Sequence, residues 1–427
     1  MGPIIKIKKL NFAKLVRSKV DSLLLLVFIY FILEYVYKVF ICKYYGYLGF
    51  SYHFDLLKYF LGKIIVFLPL LAILFFCSSY IFVCEVLIAS FFLIPNTILY
   101  QFMPFDTRIL ICTYSFIFSL LFFGLIDYRI RSSRFSERNT LRILILLSIL
   151  MIIPFIFSSK FNLNFNVLLL KDIYKVRAEN ILKYSMIQSY FLPWLAQAIL
   201  PIALIFSLKK RKWFFTIFII FILGFLFLLS AHKSVFFGLL ILIYFYFFDD
   251  YYKKIKYFLL TIIGLLLLTR LITLCFNYID SEADFSRRIF FLPALINTFY
   301  FEFFDNHPVH LSYSILSWIF HYPYTLDTAN LIGANYFGNP QSHANNGIIS
   351  SGFMNFGMLG AIGNTVAASV IISFINTLKI HSRYFGVTFL IFFNFLSSYF
   401  FTSLLTHGIL IILLIFVFFL KDSEKDA

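Results

Sequence analysis

"FFTIFIIFILGFLFLL", residues Phe214 to Leu229, has no polar face. A membrane-crossing strand alternates polar and apolar residues over about ten positions, and an amphipathic helix keeps one wet stripe. This run does neither, so it reads as a helix surrounded on every side by lipid or protein. About 20 such residues cross a hydrocarbon core of about 30 Å at 1.5 Å per residue, and runs of this kind recur along the chain. Of the 427 residues, 61% are hydrophobic and 13% charged, against a globular average of about a quarter charged. The fold class expected is an all-α integral membrane protein.

The net charge of +16 would suit a nucleic-acid partner if it formed one face, but the cations fall in short clusters between apolar runs. Such clusters mark cytoplasmic loops, and no nucleic acid is expected. Twelve spans fit: Ser22 to Ile41, Leu61 to Val83, Val86 to Gln101, Arg108 to Asp127, Leu141 to Ser158, Gln188 to Leu208, Trp213 to Ser230, Ser234 to Phe248, Tyr257 to Cys275, Gly347 to Asn376, Gly386 to Leu404 and Gly408 to Leu420. With that count the basic N-terminus, the Arg129 to Arg142 loop, "KKRK" at Lys209, "KKIK" at Lys253, the Lys379 and Arg383 loop and the tail from Lys421 all fall on one side. Both termini are then cytoplasmic, and the first span is read as an uncleaved anchor, because its apolar stretch is too long for a signal peptide and no small-residue cleavage site follows. The five cysteines lack CxxC spacing and support neither a disulfide framework nor zinc.

The chain reads as a single polytopic membrane domain, residues 1–427, with two enlarged outer segments at 159–187 and 276–346. The first is itself basic. The second holds His307, His310, His321 and His343, and only Arg287 and Arg288 as permanent cations. Within it, "IFFLPALINTFYFEFF" (Ile289 to Phe304) is short and carries Pro293, Asn297 and Glu302. Counting it as a span would reverse the side of the later basic loops, so it reads as an interfacial or re-entrant helix.

Several groups are able to carry chemistry. "NPQSHANNG", Asn339 to Gly347, sets His343, Asn345 and Asn346 where the tenth span begins; amides and hydroxyls at that level suit a sugar-binding groove, or simply cap the helix. Gly357, Gly360, Ala361, Asn364 and Ala368 form a small-residue stripe for close helix approach. Arg287 and Arg288 either snorkel to headgroups or clamp a diphosphate with paired hydrogen bonds, with Arg177 as a second arm. "AHKS" places His232 and Lys233 in a tight outer turn. "DNHPVH" raises a metal site at Asp305, His307 and His310, but no HExxH is present and Pro308 breaks the spacing, so metal: none is the expectation. Glu34 and Lys38, four apart in the first span, neutralise each other or mark a transport path.

The layout resembles the O-antigen polymerases of the Wzy type: about twelve spans, two enlarged outer loops, "AHKS" opening one span and "SHANNGIISSGFMNFGMLG" opening another. It is more distantly similar to the O-antigen ligases, whose histidine lies eleven residues before the first glycine of a GxxG. Here His343 lies fourteen before Gly357 and Asn346 holds the eleven-residue position. The ligase arginine at the start of the following span is Lys233 here, and no Arg-x10-Gly follows Arg177, Arg287 or Arg288.

The resemblance implies a GT-C-like architecture in the bacterial inner membrane and a metal-independent, cofactor-free glycosyltransferase. The growing glycan would pass from undecaprenyl diphosphate to a second lipid-linked repeat unit on the periplasmic face, with a chain-length regulator as a candidate partner. Arg177 and Arg288 would stabilise the charge developing on the leaving diphosphate, helped by Arg287, Lys233 and His232. His343 or His307 would serve the acceptor hydroxyl, since imidazole exchanges protons near neutral pH, and Asn345 and Asn346 would hold the sugar. The alternatives are an O-antigen ligase and a lipid-linked oligosaccharide flippase. A flippase would carry charges deep in several spans around a central cavity and have short outer loops.

Overall fold

The structure is a computed structural model that describes residues 2–126, 137–159, 164–169, 173, 176, 184–314 and 316–420; Arg177 lies outside them. All regular elements among the described residues are helical. Among the described residues, ten helices are long and apolar enough to cross a membrane, from Val16–Leu48 to Phe400–Phe419, and Lys233–Tyr246 is a shorter apolar helix. The chain is therefore a polytopic α-helical membrane protein. It divides into two compact units: residues 1–127, 250–374 and 395–400 form the first, and 128–249, 375–394 and 401–427 the second.

The second and third spans meet at a different place from the one expected. The expected spans part between Val83 and Val86, but the helices are Leu56–Phe76 and Ser79–Phe102, and Glu85, which lies in that gap, is wholly buried inside the latter. The real break, Cys77–Ser78, has extended backbone. Lys19 Nζ donates to the carbonyls of Cys77 (2.8 Å) and Leu74 (3.2 Å), satisfying acceptors that a helix end leaves open. A lysine far away in sequence thus marks the terminus, and the carboxyl that looks like a boundary does not.

The tenth expected span is not one straight helix. Phe356 (φ −138°, ψ 23°) and Gly357 (φ 58°, ψ −147°) leave helical geometry. Asn364 Nδ2 donates to the carbonyl of Ile348 at 3.0 Å, whereas sixteen residues of straight helix would separate them by about 24 Å. The chain folds back: residues 348–355 run antiparallel to 358–377. The expected stripe of small residues serves this internal contact, since a methyl on Gly352 would meet Ala361 Cα at 2.6 Å and one on Gly360 would strike the Gly352 carbonyl oxygen. Further along, Ser369 Oγ lies 2.7 Å from Ser119 Oγ and 3.1 Å from the Phe116 carbonyl, fastening the long limb to Thr107–Gly124.

Residues 279–304 form one helical run from Ile279–Glu282, a π-helical stretch Ala283–Phe291 and Leu292–Phe304. It doubles back on Tyr251–Phe276 after Asn277 (φ 54°), and the Arg270–Glu282 ion pair (3.2 Å) fixes the register between them. In the second unit, Trp213–Ser230 ends at Ala231 in the left-handed region, and His232 precedes the helix that Lys233 begins.

Among the described residues, four long helices and Lys233–Tyr246 lie between Ser136 and Gly338. Reporter insertions after these two residues are expected to read cytoplasmic and periplasmic respectively; a shared side would overturn this topology.

Candidate functional site

The polar stretch before the hairpin turns at Pro340 and Gln341 and continues as irregular backbone, and from His343 its side chains alternate in exposure. His343 and Asn345 are exposed, whereas Ala344 and Asn346 are buried. Backbone bonds fix the strip: Asn339 N to Gly333 O (3.2 Å), Ser342 N to Asn339 O (2.9 Å) and Ala344 N to Ala329 O (3.2 Å). Asn339 Oδ1 also accepts from Gln341 N at 2.9 Å. Gly333, in the helix Thr328–Phe337, faces the Ser342 carbonyl so closely that no side chain fits between. Tyr300 donates to the Ala344 carbonyl (3.1 Å) and pairs with the Tyr399 hydroxyl (2.6 Å), which pairs in turn with Thr328 (2.8 Å).

Asn346 anchors the strip. Its Nδ2 lies 3.0 Å from the Pro293 carbonyl, 2.9 Å from Asn297 Oδ1 and 2.7 Å from Ser350 Oγ, so two protons serve three acceptors. Ser350 also donates to Asn297 Oδ1. Beside them is a cavity of about 10 Å³ lined by Asn96, Asn297, Asn346, Phe91 and Phe92 among others, room for about one water. Asn96 Nδ2 donates to Thr113 (3.0 Å), and its Oδ1 is buried with no hydrogen-bond partner. One water in the cavity would supply that oxygen with a donor. With its amide protons committed and 2% of its surface exposed, Asn346 anchors the strip from inside the fold.

The arginine pair sits on the same helical run as Pro293 and Asn297. Arg288 Nε is 3.1 Å from Asp284 Oδ1 and half-exposed. The Arg287 guanidinium stacks on Tyr45, 4.1 Å from the ring centroid, and its Nε is buried without a partner. Five residues, about 7.5 Å of helix rise, separate Arg288 from Pro293. Asn346 therefore fastens the strip to the helix that carries the two arginines.

The start of the segment 305–346 is tied down by a group that sequence reasoning passed over. Arg108 binds Asp106 through Nε (2.9 Å) and Nη2 (2.7 Å), reaches Asp305 through Nη1, and lies over the Phe301 and Phe353 rings. Its signal was faint, a lone Arg at the start of an apolar run; Asn96 and Asn297 were visible only as single amides in such runs. His307 is exposed, and His310 lies against Phe320 and Phe356. Burial pushes the hydroxyls of Tyr322, Tyr324 and Tyr336 up, the last to about 12. At neutral pH these loop tyrosines remain donors, as Tyr322 is to Leu326 O at 2.7 Å.

The cavity lining contains Asn346 but neither His343, Asn345 nor Arg288. His232 and Lys233 belong to the second unit. No protein-family model, curated protein or solved structure matches the chain.

Proposed function

We propose that the protein is a membrane glycosyltransferase that polymerises lipid-linked oligosaccharide repeat units, with the 339–345 strip receiving glycan. The observation that carries this reading is the anchoring of the strip, through Asn346, to the helix bearing Arg287 and Arg288. A sugar acceptor and a lipid diphosphate need to meet at one level of the membrane, and Asn346 ties the segment that carries amide and imidazole groups to the helix that carries the guanidinium groups. Exposed Asn339, Gln341, His343 and Asn345 offer donors and acceptors suited to sugar hydroxyls. In the reaction, the acceptor oxygen forms the new bond to the anomeric carbon as the bond to the diphosphate breaks. The acceptor proton passes to a base, for which exposed His343 is placed, and the arginines stabilise the departing diphosphate.

The experiment is complementation of a strain lacking its polymerase, read as the lipopolysaccharide ladder. A restored ladder supports polymerisation; attachment of ready-made chains to the lipid core without ladder growth would mean ligation instead. Arg288→Lys and Arg177→Lys sharpen the test. If guanidinium grips diphosphate oxygens in pairs, each is expected to lose most of the ladder, about tenfold or more, with protein amount unchanged. Full ladders from both would reduce these arginines to headgroup anchors.

A further inference from the structure

The first unit carries a second charged cluster, away from the strip and among apolar helices. The sequence presents Glu34 and Lys38 as a pair that cancels or marks a transport path; the structure adds Lys63 from the neighbouring helix. Lys38 Nζ binds Glu34 Oε1 at 2.7 Å, and Lys63 Nζ binds Glu34 Oε2. One carboxylate therefore serves two ammonium groups, and among the described residues neither lysine has another carboxylate partner. The cluster has an excess of one positive charge.

Aromatic rings hold that excess. Lys63 Nζ is 4.4 Å from the Tyr30 centroid, 4.8 Å from Phe31 and 4.3 Å from Tyr59; Lys38 Nζ is 4.7 Å from Phe102 and 5.4 Å from Tyr59. Gln101 fixes the cage by accepting from Tyr30 (3.0 Å) and donating to the Tyr59 carbonyl (2.9 Å). Ring faces soften the cost of a cation in an apolar setting but do not neutralise it, and an uncompensated charge at membrane depth is expensive. The cluster is not sealed: the Lys38 side chain is 30% exposed against 6% for Glu34. Phe31, whose ring lies 4.8 Å from Lys63 Nζ, is exposed, as are Phe60 and Ile64 on the helix of Lys63, the kind of surface acyl chains cover. What the site lacks is one negative charge able to arrive sideways with a hydrocarbon tail.

We infer that the Glu34–Lys38–Lys63 cluster binds the phosphate of a membrane lipid. Lys38, the more exposed cation, meets the phosphate oxygens, and Lys63 supplies the balancing charge behind it. The inference does not depend on the glycan-transfer reading. Purified protein in detergent is offered phosphatidylglycerol, phosphatidylcholine or undecaprenyl phosphate, and retained lipid is counted by native mass spectrometry. Phosphatidylglycerol is expected to be held well over phosphatidylcholine; whether undecaprenyl phosphate competes it off says which lipid phosphate is preferred. Lys38→Gln and Lys63→Gln should each weaken retention about tenfold, whereas Glu34→Gln, which raises the excess charge, should hold the anionic lipid at least as well as the wild type. Equal retention of the zwitterionic and anionic lipids, or wild-type retention by a monodisperse Lys38→Gln protein, overturns the inference. Ladder formation is scored separately in cells, so failure of one reading leaves the other standing.

Discussion

Gly360→Leu is expected to remove the folded protein along with its ladder. At Gly360 a methyl alone would strike the Gly352 carbonyl oxygen, and the obstacle is backbone, which cannot rotate away. Overpacking of a tight contact costs about 1–3 kcal/mol even where side chains give, and here the limbs 348–355 and 358–377 would have to part. Parting them breaks the Asn364 bonds to Ile348 O and Ser351 Oγ as well. Fluorescence-detected size exclusion of a tagged protein checks this: the monodisperse peak should vanish for Gly360→Leu and shrink for Gly360→Ala. Gly363→Ala is the control, because its added methyl meets nothing within 4 Å. A normal peak from Gly360→Leu would mean that the limbs do not pack as described.

The second large effect is expected at Asn346. Asn346→Ala takes a donor from Pro293 O and Asn297 Oδ1 and enlarges a buried void, a loss of about 2–4 kcal/mol. The strip is then released from the helix carrying Arg287 and Arg288, so the ladder should disappear while the protein amount falls only in part. His343→Ala should behave differently. The side chain is exposed and its removal costs the fold little, so the protein amount should stay normal and the ladder should decline. Loss at Asn346 with a full ladder at His343 would make the strip a scaffold and remove the histidine from the chemistry. Normal ladders from both variants would sink the placement of the glycan site here.

Much of the fold was legible because lipid imposes one rule everywhere: runs such as Phe214 to Leu229 have nowhere to be except in helices buried in protein or bilayer. Boundaries were legible where polar residues meet water and misread where they meet protein. Glu85 looked like an edge and is interior; Ser78 looked unremarkable and is an edge, because its neighbouring carbonyls are capped by Lys19. The hairpin at 348–377 escaped notice for a related reason. Two antiparallel limbs of apolar residues have the composition of one span, and only Gly357 with its positive φ marks the reversal. The polar strip stood out at once as a contrast with its surroundings, but contrast does not say which amide faces in. That depends on Pro293 and Asn297, a pairing of distant segments that spacing does not reveal. Lys63 stayed hidden in the same way, since its partner lies in another helix.

The segment 305–346 is fastened at both ends, by Arg108 to Asp305 where it leaves the helical run and by Asn346 where it enters the hairpin. A segment tied in this manner has little freedom to swing as a flap about its ends. Its disorder has already been surrendered on folding, so on the proposed reading a glycan settling on it orders little additional chain, and association is spared the entropic cost that closing a mobile lid would impose. On the same reading, the movement needed for turnover falls to the lipid-borne substrates, which slide in the plane of the bilayer past a rigid rim.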